Sequence, residues 1–178
     1  MTGLNKKLAA ALIIPLACLA LLTVYKAIKI YTGKKVIVPI TGFDPRDLLS
    51  GHYLTYRLDL DTDACNDYES DGDTAYICLT LNDRDEIEKS SSMTYLSEDW
   101  HEYCDVVIRG TCTRGSFSAG IERFYIPEGE SVFLDSAVQG GRGSLILSVD
   151  RNGKAAIKDL LINGRPWREA VQEEKRKK

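Results

Sequence analysis

Side chains able to carry chemistry are few in this sequence, and they are scattered. His52 and His101 are the only histidines. A zinc-type centre wants three or four convergent ligands, which two histidines and stray carboxylates do not supply. His52 reads instead as a residue at the mouth of a strand, satisfied by a turn carboxylate. His101, in Glu98-Asp99-Trp100-His101-Glu102, reads as part of a polar loop with Trp100 packing inward. Ser90, Ser91 and Ser92 precede Met93 with no base at a recognisable spacing, so a flexible serine loop is expected rather than a nucleophile. Asp59, Asp61, Asp63, Asp67, Glu69, Asp71 and Asp73 crowd positions 59–73. A calcium loop needs glycine at the sixth position and a bidentate carboxylate at the twelfth. Counting from Asp67 places Gly72 sixth but Cys78 twelfth, and counting from Asp59 places Ala64 sixth and Ser70 twelfth. Both registers fail, so a solvated loop is expected, and no catalytic residue, metal site or cofactor is assigned.

The cysteines say more. Cys65, Cys78, Cys104 and Cys112 are even in number and none has the C-x-x-C spacing of a metal or redox site, which favours disulfides and an oxidising compartment. Cys104 and Cys112 lie on one expected strand, which at about 3.3 Å per residue sets them about 26 Å apart. A disulfide spans about 4.4–6.8 Å between Cα atoms. Joining Cys104 to Cys112 is thereby excluded and two connectivities remain. The preferred one links Cys65 with Cys104 and Cys78 with Cys112, because Cys65 on a loop can reach the loop-proximal Cys104.

The elements that must position these groups are mainly strands. In the stretch 42–60, Pro45 fixes its own φ and biases Asp44 away from the helical region, so Asp44, Pro45, Arg46 and Asp47 form a tight turn. Gly51 bends the chain again. His52, Leu54, Tyr56, Leu58 and Leu60 then alternate with Tyr53, Thr55, Arg57 and Asp59, as in a half-buried strand. Further strands are expected over 35–40, 75–82, 104–113 and 116–126, the last ended by Pro127, which cannot donate to a ladder. Residues 145–150 and 154–160 flank Arg151-Asn152-Gly153, a strong hairpin signal. Helical turns are allowed at 85–89 and at 166–178, where Pro166 suits a first turn and the charged end reads as solvated. The pattern implies a mainly β protein, an antiparallel β-barrel or sandwich ectodomain preceded by one N-terminal transmembrane helix.

Residues 8–25 form an uncharged run broken in character only by Pro15. At about 1.5 Å per residue it covers roughly 27 Å, enough to cross the bilayer as an uncleaved signal anchor. It is long for a signal-peptide core and is followed by Lys26 and Lys29 rather than a cleavage site. Cys18 follows Ala17, but Pro15 spoils a lipoprotein pattern. Counting Lys6 and Lys7 against Lys26, Lys29, Lys34 and Lys35, the positive-inside rule alone puts the C-terminal domain in the cytoplasm. The four cysteines put it outside, and they are given the greater weight. With 178 residues and 44% hydrophobic content, the chain divides into a cytoplasmic start, anchor and linker (1–33), a β-rich extracytoplasmic domain (34–165) and a charged C-terminal tail (166–178). A net charge of −3 argues against a nucleic-acid partner.

Two blocks carry a resemblance. Asp44-Pro45-Arg46-Asp47-Leu48, then Gly51 and Tyr53, are similar to the VDPRDLxxGDYxxLxY segment of the bacterial GDYXXLXY family. His52 stands where that motif has Asp, and its final Leu and Tyr are exchanged as Tyr56 and Leu58. The block 120–129, containing Glu122, Tyr125, Glu128 and Gly129, is similar to the family's YGIERYFVPEG segment. The resemblance covers roughly 36–165. It implies a single-span bacterial inner-membrane protein with its domain on the periplasmic side, of uncharacterised function, accompanying a multi-span membrane protein. Three readings follow: a non-enzymatic accessory module, a small-ligand or divalent-cation sensor, and a signal-peptidase-like hydrolase. The last rests on Pro45 and Gly51-His52-Tyr53, whose spacing is one residue too long and which lack the serine and lysine. If the two blocks lie side by side, Arg46, His52 and Tyr53 face Glu122, Tyr125 and Glu128, with an ion pair from Arg46 to Glu122.

Overall fold

A computed structural model describes residues 2–42, 53–60, 65, 72–97, 99–113 and 115–177. Helix α1 (Thr2–Thr32) runs unbroken through Pro15, and its stretch Ala11–Thr32 is long and apolar enough to cross a membrane, with none of it buried against the rest of the chain. Lys26 and Lys29 therefore extend the helix rather than end it. Thr32 Oγ1 donates to the Ile28 carbonyl at 2.9 Å in the last turn.

Ten strands follow among the described residues: β1 (Lys34–Gly42), β2 (Tyr53–Leu58), β3 (Thr74–Leu81), β4 (Ile87–Met93), β5 (Val106–Thr113), β6 (Ser116–Ser118), β7 (Arg123–Tyr125), β8 (Gly143–Val149), β9 (Ala155–Ile162) and β10 (Arg165–Pro166). Helix α2 (Ser131–Gln139) precedes β8, and helix α3 (Trp167–Lys177) ends the chain. The strands form two curled antiparallel half-barrels, ordered β10-β9-β8-β1-β2-β7 and β4-β3-β5-β6. Alternation drives both. Val36, Val38, Ile40, Leu54 and Tyr56 from one sheet and Ile77, Leu79, Val106 and Ile108 from the other enter a shared core and are all but fully buried. Burying side chains of this kind stabilises by about 1.5–3 kcal/mol each. Backbone bonds stitch the seams: Ile37 donates to the Asp85 carbonyl at 2.7 Å and Arg109 to the Gly153 carbonyl at 2.7 Å.

Three local expectations are corrected. The strand expected over 116–126 is two strands in different sheets, because Gly120, with φ of 77°, turns the chain between β6 on β5 and β7 on β2. The expected serine loop is the edge strand β4, where Ser90, Ser91 and Ser92 face Leu79, Cys78 and Ile77. The helical turn allowed at 85–89 is the end of a hairpin instead. Asn82 Oδ1 accepts the Arg84 and Glu86 amides, at 2.9 and 3.0 Å, and Asp85 takes φ of 61°. Neither the acidic cluster's residues 61–64 and 66–71 nor the turn at 43–52 falls among the described residues. Helix α2, which the sequence reading missed, buries Leu134, Ala137 and Val138, while α3 buries Trp167 and Val171 and sets Lys175, Arg176 and Lys177 at its C-terminus, where the helix dipole favours cations.

The disulfides join Cys65 to Cys112 and Cys78 to Cys104, with Cα separations of 5.5 and 5.4 Å. The excluded connectivity is indeed absent, because Cys104 and Cys112 lie beyond and within opposite ends of β5. The preferred pairing was the wrong one of the remaining two. In the β3–β5 ladder Cys78 sits opposite Val107, five residues from Cys112, which at about 3.3 Å per residue is about 16 Å and out of reach. Peptide mapping without reduction is expected to yield these two cross-links only. Replacing Cys65 and Cys112 together by serine should cost about 4 kcal/mol in the chain-entropy account, from a separation of 47 residues, and replacing Cys78 and Cys104 slightly less, from 26. A cross-link between Cys65 and Cys104 in native protein would overturn the β3–β5 register.

Candidate functional site

A polar and aromatic cluster lies where β2 meets β7. Their antiparallel register sets Tyr53 opposite Tyr125, Leu54 opposite Phe124 and Thr55 opposite Arg123. Strand parity sorts these residues. Leu54 and Tyr56 point into the core, and Phe124 meets Trp167 edge-on at 6.4 Å. On the outer face Tyr53 and Tyr125 lie 6.0 Å apart between ring centroids in an edge-to-face arrangement, and the Arg123 guanidinium sits 5.3 Å over the Tyr53 ring. Tyr125 is 74% exposed. The result is a small outward patch of two tyrosines and an arginine on a rigid ladder.

A second set of contacts on the inner side holds that ladder in place. The Tyr56 hydroxyl, buried, donates to the Ile121 carbonyl, and the Tyr56 amide donates to the Glu122 carbonyl at 3.4 Å. Glu122 Oε1 accepts the Ala119 amide at 2.5 Å and the Gly120 amide at 3.2 Å. This carboxylate ties down the turn that carries the chain from β6 to β7. Burial, and behind it the Glu122 carboxylate, push the Tyr56 hydroxyl above its ordinary ionisation range.

The residues singled out from the sequence divide accordingly. Tyr53 and Tyr125 come together, whereas Glu122 turns to its own loop. Glu128 and Gly129 lie past Pro127 in the 3-10 turn Glu128–Glu130, where the Glu128 carbonyl accepts the Ser131 hydroxyl at 2.8 Å. Asp44, Pro45, Arg46, Asp47, Gly51 and His52 lie outside the described residues, as does the pair from Arg46 to Glu122. Trp100 is buried as expected, against Cys78, Cys104 and Val107, with His101 stacked on it at 3.5 Å. No cluster of three or more His, Cys, Asp and Glu side chains able to hold a metal occurs among the described residues. Arg123 was missed, although it stands two residues before Tyr125 and shares its face by strand parity.

The model of one family, described as GDYXXLXY protein, matches residues 15–160. The chain belongs to the GDYXXLXY family. No curated protein and no solved structure matches it. The motif exchange now has a physical reading. Tyr56 and Leu58 occupy the GDYXXLXY motif's Leu and Tyr positions two residues apart, hence on the same face of β2, so the exchange keeps an aromatic and an aliphatic side chain on that face. It moves the phenol by about 6.6 Å along the strand, to where it reaches Ile121.

Tyr56→Phe leaves the Ile121 carbonyl without this buried donor, and a loss of about 1–3 kcal/mol in unfolding free energy is expected. The unfolded phenol ionises near pH 10 and the folded one only higher, so its contribution is fully present below about pH 10 and falls as pH rises beyond. Denaturant titrations between about pH 9 and 11 should show an alkaline decline of up to ~1.4 kcal/mol per pH unit in the native protein that Tyr56→Phe flattens. Equal slopes in the two proteins would show that the hydroxyl is not held in its neutral form.

Proposed function

We propose that this GDYXXLXY protein is a non-enzymatic accessory module of a bacterial membrane assembly, tethered by α1 in the inner membrane and presenting its β domain on the periplasmic side. It docks a multi-span membrane protein through the patch of Tyr53, Arg123 and Tyr125. The observation that carries this reading is that patch. Tyrosine and arginine dominate binding hot spots, and here both come from the family's two sequence blocks, on a ladder whose inner side is buried and hydrogen-bonded. A rigid, preformed surface of this kind loses little side-chain freedom on binding. Two disulfides support maturation in an oxidising compartment, against the count of lysines. Ser90, Ser91 and Ser92 stand opposite Leu79, Cys78 and Ile77 along β4, so their cross-strand neighbours supply no base for a nucleophilic serine.

Cross-linking in whole cells followed by affinity purification and mass spectrometry should recover one stoichiometric multi-span partner. Tyr125→Ala combined with Arg123→Ala is expected to reduce that yield at least tenfold with the melting temperature unchanged within a few degrees, because both side chains are exposed. Unchanged recovery would remove the patch from the interface. Protease added to spheroplasts is expected to digest the β domain, and protection from protease would reverse the orientation.

A further inference from the structure

β7 is the last strand of its sheet, beside β2 alone, and carries only Arg123, Phe124 and Tyr125. The direction of its backbone groups follows from the ladder. Tyr56 comes opposite Glu122 in the β2–β7 register, and the Tyr56 amide donates to the Glu122 carbonyl at 3.4 Å. Bonded and unbonded rungs alternate in an antiparallel pair, so Leu54 and Phe124 form the next bonded rung. The amides and carbonyls of Arg123 and Tyr125 therefore point away from β2. No described residue bonds to them. The turn at Gly120 on one side and Pro127, which has no amide proton, on the other confine this open edge to those two residues.

The side chains say what could pair there. Arg123 and Tyr125 stand exposed on the outer face, and the guanidinium over the Tyr53 ring has no carboxylate partner among the described residues. Phe124 points inward beside Trp167 and is only half-buried, at the margin of the core. We propose that β7 is the docking edge for one extended segment of the membrane partner, which joins the sheet as a further antiparallel strand. This rests on the docking of a partner at the patch of Tyr53, Arg123 and Tyr125, and it specifies what that partner brings. Residues opposite Tyr125 and Arg123 form two bonded rungs through backbone groups that now stand open, and the residue between them covers the uncovered side of Phe124. The residue opposite Arg123 is acidic, since opposite charges across strands attract and the arginine is unpaired. The segment therefore reads outward polar or aromatic, inward apolar, outward acidic. A second copy of this chain lacks that pattern. Two β7 strands pairing antiparallel about Phe124 would set Tyr125, not a carboxylate, opposite each Arg123.

The test uses the full chain in phosphatidylcholine nanodiscs and a capped peptide with tyrosine, valine and aspartate in sequence between threonines. Binding is read by hydrogen exchange resolved to single amides. In the chain alone the Arg123 and Tyr125 amides are expected to exchange at least ~100-fold faster than that of Phe124, and the peptide should slow them. Methylating the peptide nitrogens of tyrosine and aspartate removes the donors that face β7 and should weaken binding about tenfold. Methylating that of valine, which faces away, should leave it unchanged. Arg123→Glu is expected to reverse the preference for aspartate over lysine in the peptide's acidic position. Slow exchange at Arg123 and Tyr125 in the chain alone, no slowing by the peptide, or equal weakening by the two methylations overturns the proposal. Dimers of the chain in which the same amides are protected overturn it too, because the edge then serves a second copy. Cross-linking in whole cells reports on docking separately. A multi-span partner recovered there while the peptide results fail leaves the patch standing and removes only the added strand, whereas recovery of no partner removes both.

Discussion

The burial of Val36, Val38 and Ile40 on a strand that starts two residues after the apolar helix is the constraint on which the molecule depends. β1 lies inside its sheet, paired with β8 along seven residues and with β2 along three, and through Ile37 it also reaches the turn before β4. Each of those partners places others. β8 carries the hairpin to β9, whose far end receives β10 and α3, and β2 carries β7. Slipping β1 by one residue would turn its three core side chains outward and move every partner with them, so the register is fixed by burial.

What β1 does for the sheet, Tyr56 does for the patch. Its phenol links β2 to the chain ahead of β7 from the core side, where an unmatched carbonyl is most expensive. Glu122 completes the arrangement by holding two amides of the turn around Gly120, the point at which the chain leaves one sheet for the other. On the outer face Tyr53 contacts both Tyr125 and Arg123, and none of the three side chains belongs to the buried core.

Legibility followed the range of the determining interaction. Period-two alternation is local, so β1, β2, β3, β5, β8 and β9 could be read from their own residues within a position or two, as could the Asn152-Gly153 hairpin and the apolar helix. The break at Gly120 could not, because a glycine inside a strand pattern signals either a weak strand or a bend, and only the competing ladders on β5 and β2 decide between them. β4 was illegible for the opposite reason: Ile87-Glu88-Lys89-Ser90-Ser91-Ser92-Met93 has no apolar alternation, since an edge strand is specified by its neighbour β3. Helix α2 has only nine residues, and its apolar positions 134, 137 and 138 stand out only once a core exists to receive them. In the site, the pairing of the two blocks was a condition drawn from the family resemblance, and the β2–β7 ladder meets it for Tyr53 and Tyr125. The inward turn of Glu122 was not legible, because it depends on amides of Ala119 and Gly120 that become free only when the strand breaks. The choice between two disulfide patterns likewise required the rung on which Cys78 stands.

The joint between helix and domain gives these parts a common direction. A domain on a flexible tether samples many orientations, and its interaction surface then acts mainly through raised local concentration. Here the tether is Gly33 alone. A side chain at that position would strike Ser148 Oγ and crowd the Val149 backbone, so the chain passes flush against β8 as it leaves α1. Lys158, redirected by its bulge, reaches the Tyr31 ring from the adjacent strand, and Lys35 is drawn to Asp85 on the other side. The Lys35–Asp85 pair lies within the β domain, so the close pass of Gly33 on β8 and the approach of Lys158 to Tyr31 are the contacts that join the domain to α1. If α1 spans a bilayer as proposed, a one-residue joint packed against β8 and β9 relates the direction of the β2–β7 patch to that of the helix.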